Sequence, residues 1–505
     1  MDAKRPSFSD TAAGVDRAIA LVDTGVRGLF RMRVALRGQS NWHHSHICRL
    51  PPGTLSLIFQ EICTPSLENW EDTGKINYHA ITLASVSSYW RQVALGTAKM
   101  WNEMAFTVRK GAVIPAADLF QRHARRAKNL DLSVSIFFDG CSCDPGRFGS
   151  SDALENILFS DAIAPRIITL RLVEVPLTWG LTRRRWKLPR VRTMYISGAQ
   201  HTPNGSGHRV LDMPSLHRLH VAGESWGSIV IPRMLRTLVL SDTLAATNVN
   251  LLSQCPDLIE CYNRRLYYSR PSKEGFRVTY VWRRLESLTW SINELITLRS
   301  VENMKLPALK HLCLLDNDNA HNFNAIITFV HQTSATLTTL ELQTLWDPRW
   351  EGEGQLARMF RRNFPNLQAL KFTQSDPDNM SEVIRLLTPT KEEYHRGEVI
   401  PFPKLTLLVL GAYGRCYRAS QLPQGVLRML ERRRAGEHVL FQFHLPDLVC
   451  WEKRESIWTP EVEEEYERVL GHRKMILFRD SKTWACFGLI LYNRLSLEHC
   501  IQYWF

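Results

Sequence analysis

At 505 residues the chain is too long for one compact core, so its length predicts several domains or an elongated array of repeats. Its apolar content of 44% and charged content of 22% are ordinary for a folded, soluble protein. The net charge of +13 raises nucleic acid as a partner, but the arginine runs at 183–185 and 432–434 lie far apart and lack interleaved aromatic residues, which disfavours that class.

The composition also predicts the compartment and the absence of a cofactor. The first ten residues are polar, and the apolar run at 485–492 is far shorter than the roughly 20 residues that span a bilayer. Eleven scattered cysteines include no CxxC pair, and the cluster His43, His44, His46 and Cys48 lacks the second pair that zinc sites usually have. We expect an intracellular protein, cytoplasmic or nuclear or both, with reduced thiols, no metal and no cofactor.

Residues 1–46 form the first predicted element. The stretch AIALVDTGVRGLFRMRVAL predicts a weakly amphipathic, basic helix. Two roles stay open for this helix: packing on the module that follows, or pairing with a helix of a partner.

The segment RLPPGTLSLIFQEI, residues 49–62, predicts a short helix with one apolar stripe. Pro51 and Pro52 should hold the chain extended, and Thr54 should cap the turn that follows. The stripe occupies positions i, i+3, i+4 and i+7 and therefore shares one helix face. Its members are Leu55, Ile58, Phe59 and Ile62.

A loop over 63–77 precedes a second predicted helix, which carries the sequence VSSYWRQVALG. A second apolar stripe runs along this helix, and Trp101 closes the segment. The stripe consists of Leu83, Val86, Trp90, Val93 and Ala94. Such stripes must be buried, either within the chain or against another protein.

From residue 165 onward the pattern P-x-L-x-x-L-x-L recurs, as in PRIITLRL at 165, PSLHRLHV at 214 and PALKHLCL at 307. Its ten anchor positions are separated by 19 to 38 residues, mostly within the 20–29 range of leucine-rich repeats, and seven have a proline two positions earlier. The anchors are Ile167, Val191, Leu216, Leu235, Leu258, Leu285, Leu309, Leu337, Leu367 and Leu405.

Each repeat predicts a short strand whose apolar positions alternate, with the anchor filling the preceding turn. Helices are predicted before the first, fifth, eighth and ninth anchors, so the expected unit is strand, turn, helix and turn. Neighbouring units must stack to bury their apolar faces, which predicts an α/β horseshoe solenoid. Outward side chains of these strands are candidates for binding a target. They are Arg171, Tyr195, His220, Tyr262, Glu341 and Lys371, with Arg218 beside them.

The segment 47–106 resembles the F-box, in the version abundant in fungi. The likeness rests on I-x-R-L-P-P ahead of the first helix and on W-R-x-V-A-L-G-T-x-x-x-W at the end of the module. The sequence departs from the family at Gly53, where an acidic residue often stands, and in its long loop over 63–77. Together with the repeats, the resemblance to an F-box protein with leucine-rich repeats extends to about residue 415.

This resemblance implies an α/β protein in which a small all-α F-box module precedes an irregular leucine-rich repeat horseshoe. The expected parts are a basic, partly helical segment 1–46, the F-box module 47–106, a linker and N-terminal cap 107–150, the repeats 151–415, and a C-terminal cap and extension 416–505.

The resemblance further implies a non-catalytic, substrate-recruiting subunit of an SCF-type (Skp–cullin–F-box) ubiquitin ligase. The module would dock on a Skp-family adaptor and through it reach a cullin, while the repeats would bind a protein substrate that the sequence does not name. The positions that match the adaptor-binding part of the motif are Leu50, Pro51, Leu55, Ile58, Phe59, Val86, Trp90, Val93 and Ala94.

Three alternatives stay open at this point. One is a scaffold protein with the same repeats that serves no ligase, and the second is a basic nucleic-acid-associated protein. The third is a hydrolase, since GESWG at 223–227 fits the G-x-S-x-G elbow with Ser225 as nucleophile. Pro232 and the β-branched residues before it argue against the helix that such an elbow requires.

Overall fold

A computed structural model describes most of the chain up to residue 412 and a few positions beyond it. The described residues are 8–44, 46–63, 73–109, 113–139, 152–175, 185–198, 209–223, 229–264 except 242 and 244, 279–291, 304–315, 329–343 except 331, 364–375, 383–388 except 386, 402–412, 425, 428, 429, 442–444, 464 and 468. The chain divides into an N-terminal unit, residues 1–106 and 119–132, and a repeat unit, residues 107–118 and 133–505.

The helices in the described part of the chain are α1 Phe8–His44, α2 Pro52–Cys63, α3 Thr73–Val86, α4 Ser88–Gly96, α5 Val113–Arg126, α6 Asp152–Leu158 and α7 Ala245–Ser253. Short 3-10 turns cover His46–Arg49, Ala98–Trp101 and Ala164–Arg166. None of the helices described is long and apolar enough to cross a membrane.

The described strands are β1 Glu103–Arg109, β2 Leu132–Asp139, β3 Ile167–Val173, β4 Arg185–Lys187, β5 Thr193–Ser197, β6 Arg209–Asp212, β7 Arg218–Ala222, β8 Ile229–Val230, β9 Thr237–Ser241, β10 Glu260–Arg264, β11 Tyr280–Val281, β12 Ser287–Ser291, β13 Met304–Lys305, β14 His311–Leu315, β15 Thr339–Gln343, β16 Ala369–Ser375, β17 Leu407–Ala412 and β18 Gln442–His444.

The helix α2 begins at Pro52, three residues earlier than a cap at Thr54 predicts, so Pro52 is helical and does not hold the chain extended. Pro52 is the first residue of α2, a position where its missing N–H removes no hydrogen bond of the helix. The Leu55 N–H already donates to the Pro51 carbonyl, with an N···O distance of 3.0 Å. Thr54 therefore lies inside the helix, and the prediction that it caps the helix was wrong.

The second predicted helix is in fact two helices, α3 and α4, separated at Ser87. Ser87 is extended, with φ −154° and ψ 168°, and its Oγ accepts a hydrogen bond from the Trp90 N–H at 3.1 Å. A serine that satisfies an unpaired N–H of the first turn favours the start of a new helix over continuation of the old one. The helix α3 also begins at Thr73, inside the stretch predicted to be a loop.

The repeat unit contains one long sheet with the strand order β2-β3-β5-β7-β9-β10-β12-β14-β15-β16-β17-β18. All neighbouring pairs from β3 to β18 are parallel. Strands that follow each other in the sequence of anchors are therefore neighbours in space, which is the arrangement of a stacked α/β repeat.

All ten predicted anchors are buried, and each lies at or just before a strand of the long sheet. Most of them close a β-turn: the Leu216 N–H donates to the Met213 carbonyl at 3.0 Å, and the Leu309 N–H donates to the Leu306 carbonyl at 3.2 Å. The proline two positions before the anchor is residue i+1 of that turn, where its fixed φ is favourable. The recurring proline is thus a turn signal.

One hydrogen bond repeats from unit to unit along the described part of this sheet. The N–H of the residue after each anchor donates to the carbonyl of the residue after the previous anchor. The series starts with the bond from Arg192 to Ile168 and continues to the bond from Thr406 to Gln368, with N···O distances of 2.8–2.9 Å. The ladder includes the two longest repeats, anchored at Leu367 and Leu405. The repeat register is therefore kept to Leu405, including the last two repeats, whose register the irregular spacing of the anchors had left open.

The other side of the repeats is only partly helical, which differs from the expected strand-and-helix unit. The helices α6 and α7 confirm the predictions before the first and fifth anchors. Between the first and fourth anchors, the described residues instead form a parallel sheet of β4, β6 and β8, and β11 pairs with β13 further on. Repeat length does not explain this difference, since the 23-residue repeat from Leu235 to Leu258 holds α7. Alternating buried residues such as Trp186 and Leu188 suit an extended segment instead.

The side chain of Gln254 links a repeat that carries a short strand, β8, to the next repeat, which carries the helix α7. At the end of α7 its Oε1 accepts from the Ile231 N–H at 2.9 Å, and its Nε2 donates to the Ile229 carbonyl at 3.1 Å. The edge of the short sheet is thus satisfied where the helix takes over. The helices predicted before the eighth and ninth anchors lie largely outside the described residues, as does most of the segment 416–505, whose predicted strand HVLFQFHL contains β18.

Candidate functional site

The helical module of the N-terminal unit, residues 50–101, has a core made from its two predicted stripes. Leu55 and Phe59 on α2 are completely buried, and the Phe59 ring lies 5.0 Å from the Trp90 ring. Trp101 is also completely buried, and its Nε1 donates to the Ala94 carbonyl at 2.8 Å. The two stripes therefore pack largely against each other inside this unit.

Polar bonds fix how α2 and α4 meet. The Tyr89 hydroxyl donates to the Leu50 carbonyl at 2.7 Å, which holds the entry to α2 against α4. Ser56 Oγ and Thr97 Oγ1 lie 2.8 Å apart, and Thr97 Oγ1 donates to the Val93 carbonyl. Partly buried bonds of this kind select one arrangement of the helices.

The nine residues predicted to contact an adaptor fall into two groups. Leu55, Phe59, Val93 and Ala94 are buried in the core of the unit, so they cannot offer apolar surface to a partner without rearrangement. The prediction that the Leu55 and Phe59 stripe is covered largely from outside the chain is corrected by this burial. The accessible members are Leu50, Pro51, Ile58, Val86 and Trp90.

Apolar side chains remain on the surface of this module after its core is filled. On α2, Ile58 is 36% exposed and Ile62, one turn later, is 48% exposed. Val86, at the end of α3, is 54% exposed. Ile58 and Ile62 are spaced i, i+4 and hence form one apolar strip on the helix surface.

His123 lies in the same unit, beneath Trp101, with the two rings 4.9 Å apart. Its Nδ1 is 2.8 Å from the Leu119 carbonyl, which can only accept, so Nδ1 carries the proton. Desolvation by burial, reinforced by the charges of Arg126 and Arg122, lowers the pKa of His123. A neutral histidine is thus a structural part of this core.

In the repeat unit, strand pairing aligns six of the seven predicted target-binding residues in one row across the long sheet. Arg171 pairs with Tyr195, and Tyr195 pairs with His220. Further along the sheet Glu341 pairs with Lys371. The complete row, from β3 to β18, is Arg171, Tyr195, His220, Val239, Tyr262, Thr289, Cys313, Glu341, Lys371, Val409 and His444. Arg218 lies on the same face, two residues before His220 on β7.

At the N-terminal end of this row the side chains form a continuous stack, which we call the aromatic–arginine stack: Phe137, Arg171, Tyr195, His220 and Ser241. The Arg171 guanidinium carbon lies 5.4 Å from the centre of the Phe137 ring and 4.8 Å from that of Tyr195. The Tyr195 and His220 rings meet edge to face at 4.5 Å, and His220 Nε2 lies 2.9 Å from Ser241 Oγ. Each cation–π contact contributes about 0.5–1 kcal/mol or more when desolvated, so the stack is held in place before any partner arrives.

Further along the row, on β15 and β16, the side chains are ionic. The Lys371 ammonium lies 3.8 Å from the Glu341 carboxylate, with both side chains about one-fifth exposed. Desolvation, followed by the positive charges of Lys371 and Lys310, lowers the pKa of His311 on the same face. The two regions of the face therefore differ: the N-terminal one offers aromatic rings and a guanidinium, and the one on β15 and β16 offers paired charges.

The sequence reading missed Phe137, Ser241 and His311 on this face. Phe137 could have been found from the alternation in LSVSIFFD, where every second residue is buried. The other two follow only from strand register, because their repeats show no distinct signal. The proposed nucleophile Ser225 lies outside the described residues.

Comparisons with known proteins leave the family open. No protein-family profile matches the chain, and no curated protein matches it. Among solved structures, a crystal structure of a Bacteroides fragilis protein is similar with 11% identity and a TM-score of 0.28, over 57% of this chain and 66% of that protein.

Proposed function

We propose that this protein is a non-catalytic, substrate-recruiting subunit of an SCF-type ubiquitin ligase, built from an F-box module and a leucine-rich repeat horseshoe. The module docks on a Skp-family adaptor, and the face of the long sheet binds a protein target. The observation that carries the proposal is the apolar strip of Ile58 and Ile62, left exposed on a module whose own core is complete.

Docking uses the accessible members of the motif together with Ile62, which lies beside Ile58 on α2. Fully burying an isoleucine side chain contributes about 1.5–3 kcal/mol. Ile58, Ile62 and Val86 are already about half covered, so together they would contribute a few kcal/mol to docking, and further contacts have to supply the rest. Pro51 and the half-buried Leu50 stand at the start of α2 and extend that surface. Leu55, Phe59, Val93 and Ala94 act indirectly, since they fix the helices that present it.

Target binding uses the sheet face. Tyrosine and arginine are the side chains most often found as binding anchors, and the aromatic–arginine stack is already ordered by its own contacts. Less side-chain entropy is then lost on binding. Such a subunit needs no catalytic group, because it acts by raising the effective concentration of the target's lysines near a charged conjugating enzyme.

The experiment is co-purification of the full chain with the Skp-family adaptor of its own cell, comparing wild type with Ile58→Asp/Ile62→Asp. A charge forced into an apolar interface is strongly disfavoured, so the double variant should lose at least about 30-fold in affinity. Charges at Leu55 or Phe59 would not test docking, because both side chains fill the core.

Met234→Asp is the matched control. Met234 is 62% exposed, in a turn of the repeat unit, so the same kind of change should leave adaptor binding intact. Circular dichroism checks that both variants stay folded. The docking proposal fails if wild type does not retain the adaptor, or if the folded double variant binds it as tightly as wild type.

A further inference from the structure

The helix α1, Phe8–His44, exposes every side chain that the structure describes on it, residues 14–37, 39 and 40. Ten of these are large and apolar, an unusual amount for a single exposed helix. They are Val15, Ile19, Leu21, Val22, Val26, Leu29, Phe30, Met32, Val34 and Leu36.

The sequence of α1 is a poor helix former on its own. It contains four glycines, each costing about 1 kcal/mol relative to alanine, and several β-branched residues. Most helical stability in proteins comes from packing of an apolar face. A helix of this composition therefore requires a partner that covers it.

The apolar residues of α1 follow a heptad pattern that specifies a helical partner. Val15, Val22, Leu29 and Leu36 recur every seven residues. Between them, four residues after Val15, Val22 and Leu29, stand Ile19, Val26 and Arg33. A seam with a 3.5-residue period over more than three heptads is the pattern of a coiled coil.

The charges of α1 indicate which helix covers it and in which direction. Residues 14–24 carry Asp16, Asp23 and Arg17, whereas residues 25–40 carry four arginines and no acid. An antiparallel second copy places the acidic half of one helix along the basic half of the other. A parallel copy would instead set Arg33 against Arg33 within the seam, which is unfavourable.

We propose that α1 pairs with α1 of a second copy of this chain in an antiparallel coiled coil. In the register that aligns the midpoints of the two seams, Ile19 lies opposite Leu36 of the second copy and Val26 lies opposite Leu29 of the second copy. The flanking Asp16 then lies beside Arg37 of the second copy, and Gly25 faces Met32, so a small residue meets a large one.

The charged seam residue also fits this register. Arg33 lies opposite Val22 of the second copy and next to its Asp23, so the guanidinium has a carboxylate within reach. A polar residue at one seam position lowers stability but fixes register and orientation.

The first test measures the mass of the full chain by light scattering after size exclusion. Wild type should elute with the mass of two 58.2 kDa chains, and Val22→Asp/Leu29→Asp should elute as one. The matched control is Leu21→Asp/Val34→Asp, which changes residues of similar exposure, 74% and 69%, that lie off the seam. This control should remain a dimer.

The second test fixes the orientation. Asp16→Arg and Arg37→Asp should each weaken the dimer by roughly tenfold, a loss of about 1.4 kcal/mol, and the double variant should restore it. In a parallel pair these residues are about 32 Å apart along the helix, so the exchange would restore nothing.

A monomeric wild type overturns the proposal, and so does an off-seam control that dissociates as fully as the seam variant. If wild type is monomeric and the seam variant also releases the Skp-family adaptor, the adaptor is the partner of α1 instead. A dimer that the charge exchange fails to restore overturns the antiparallel arrangement.

Discussion

The two units of the protein differ in where they place the residues that the sequence predicted to bind partners. In the N-terminal unit, the striped residues Leu55, Phe59, Val93 and Ala94 are buried in the core, and their neighbours Ile58, Ile62 and Val86 stay exposed. In the repeat unit, the residues predicted to point outward do share one face, where they are half-buried by contacts with each other.

Geometry explains this difference. A strand alternates strictly, so a residue between two buried positions must lie on the opposite face. A helix has no such rule: its apolar stripe has to be covered, but the stripe itself does not say by what. An apolar pattern therefore predicts which residues are accessible in the repeats, but in the helical module it does not predict which residues are accessible.

The largest expected effect tests which residues of α2 lie in the core and which lie on the surface. Phe59→Ala should lower the free energy of unfolding by about 3–5 kcal/mol, because it empties a completely buried position beside Trp90. Ile58→Ala, next to it on the surface, should cost less than about 1 kcal/mol. Urea unfolding of the full chain measures both. Equal losses for the two variants would contradict the assignment of core and surface.

A second pair of variants compares how closely the surroundings pack around one glycine in each of the two units. Gly198, at the exit of β5, has φ +109°, and an added Cβ would lie 2.3 Å from the Val175 backbone nitrogen. Gly198→Ala should therefore cost more than about 2 kcal/mol. Gly53→Ala in the first turn of α2 meets nothing within 4 Å and should stabilise by up to about 1 kcal/mol.

Scanning calorimetry of the full chain gives the signs of these two changes. The midpoint of the repeat unit should fall for Gly198→Ala, and that of the N-terminal unit should rise slightly for Gly53→Ala. A neutral Gly198→Ala would mean that the strand exit relaxes easily.

The smallest effect is a pH dependence of the N-terminal unit. The pKa of His123 is lowered in the folded state, so below about pH 6.5 the unfolded chain binds a proton that the folded chain does not. The contribution of neutral His123 is complete above that pH and is lost as the pH falls, by at most about 1.4 kcal/mol per pH unit.

His123→Phe keeps a ring beside Trp101 and Phe106 and should remove this dependence. The readout is hydrogen exchange of peptides covering 119–127 at pH 7.5 and 5.5, corrected for the intrinsic rate. If both proteins lose protection in parallel, another group governs the acid response.

Much of the repeat unit could be read from sequence. The ten anchors, the strands after them and the outward row followed from a proline turn and a two-residue alternation, both of which are local. The helical half of the unit was less predictable, since β4, β6 and β8 take the place of helices between the first and fourth anchors, while a repeat of similar length holds α7. The stack around Arg171 required strand register, which brings together residues 24 to 34 positions apart.

The sequence by itself determined where this chain turns, which residues alternate and where the apolar stripes lie, because these depend on neighbours a few positions away. Only the tertiary structure decided what covers each stripe: Leu55 and Phe59 are covered from within, and Ile58, Ile62 and the seam of α1 are left exposed. The physical reason is that burial depends on the surfaces that meet, and the period of a pattern does not contain the identity of the surface opposite it.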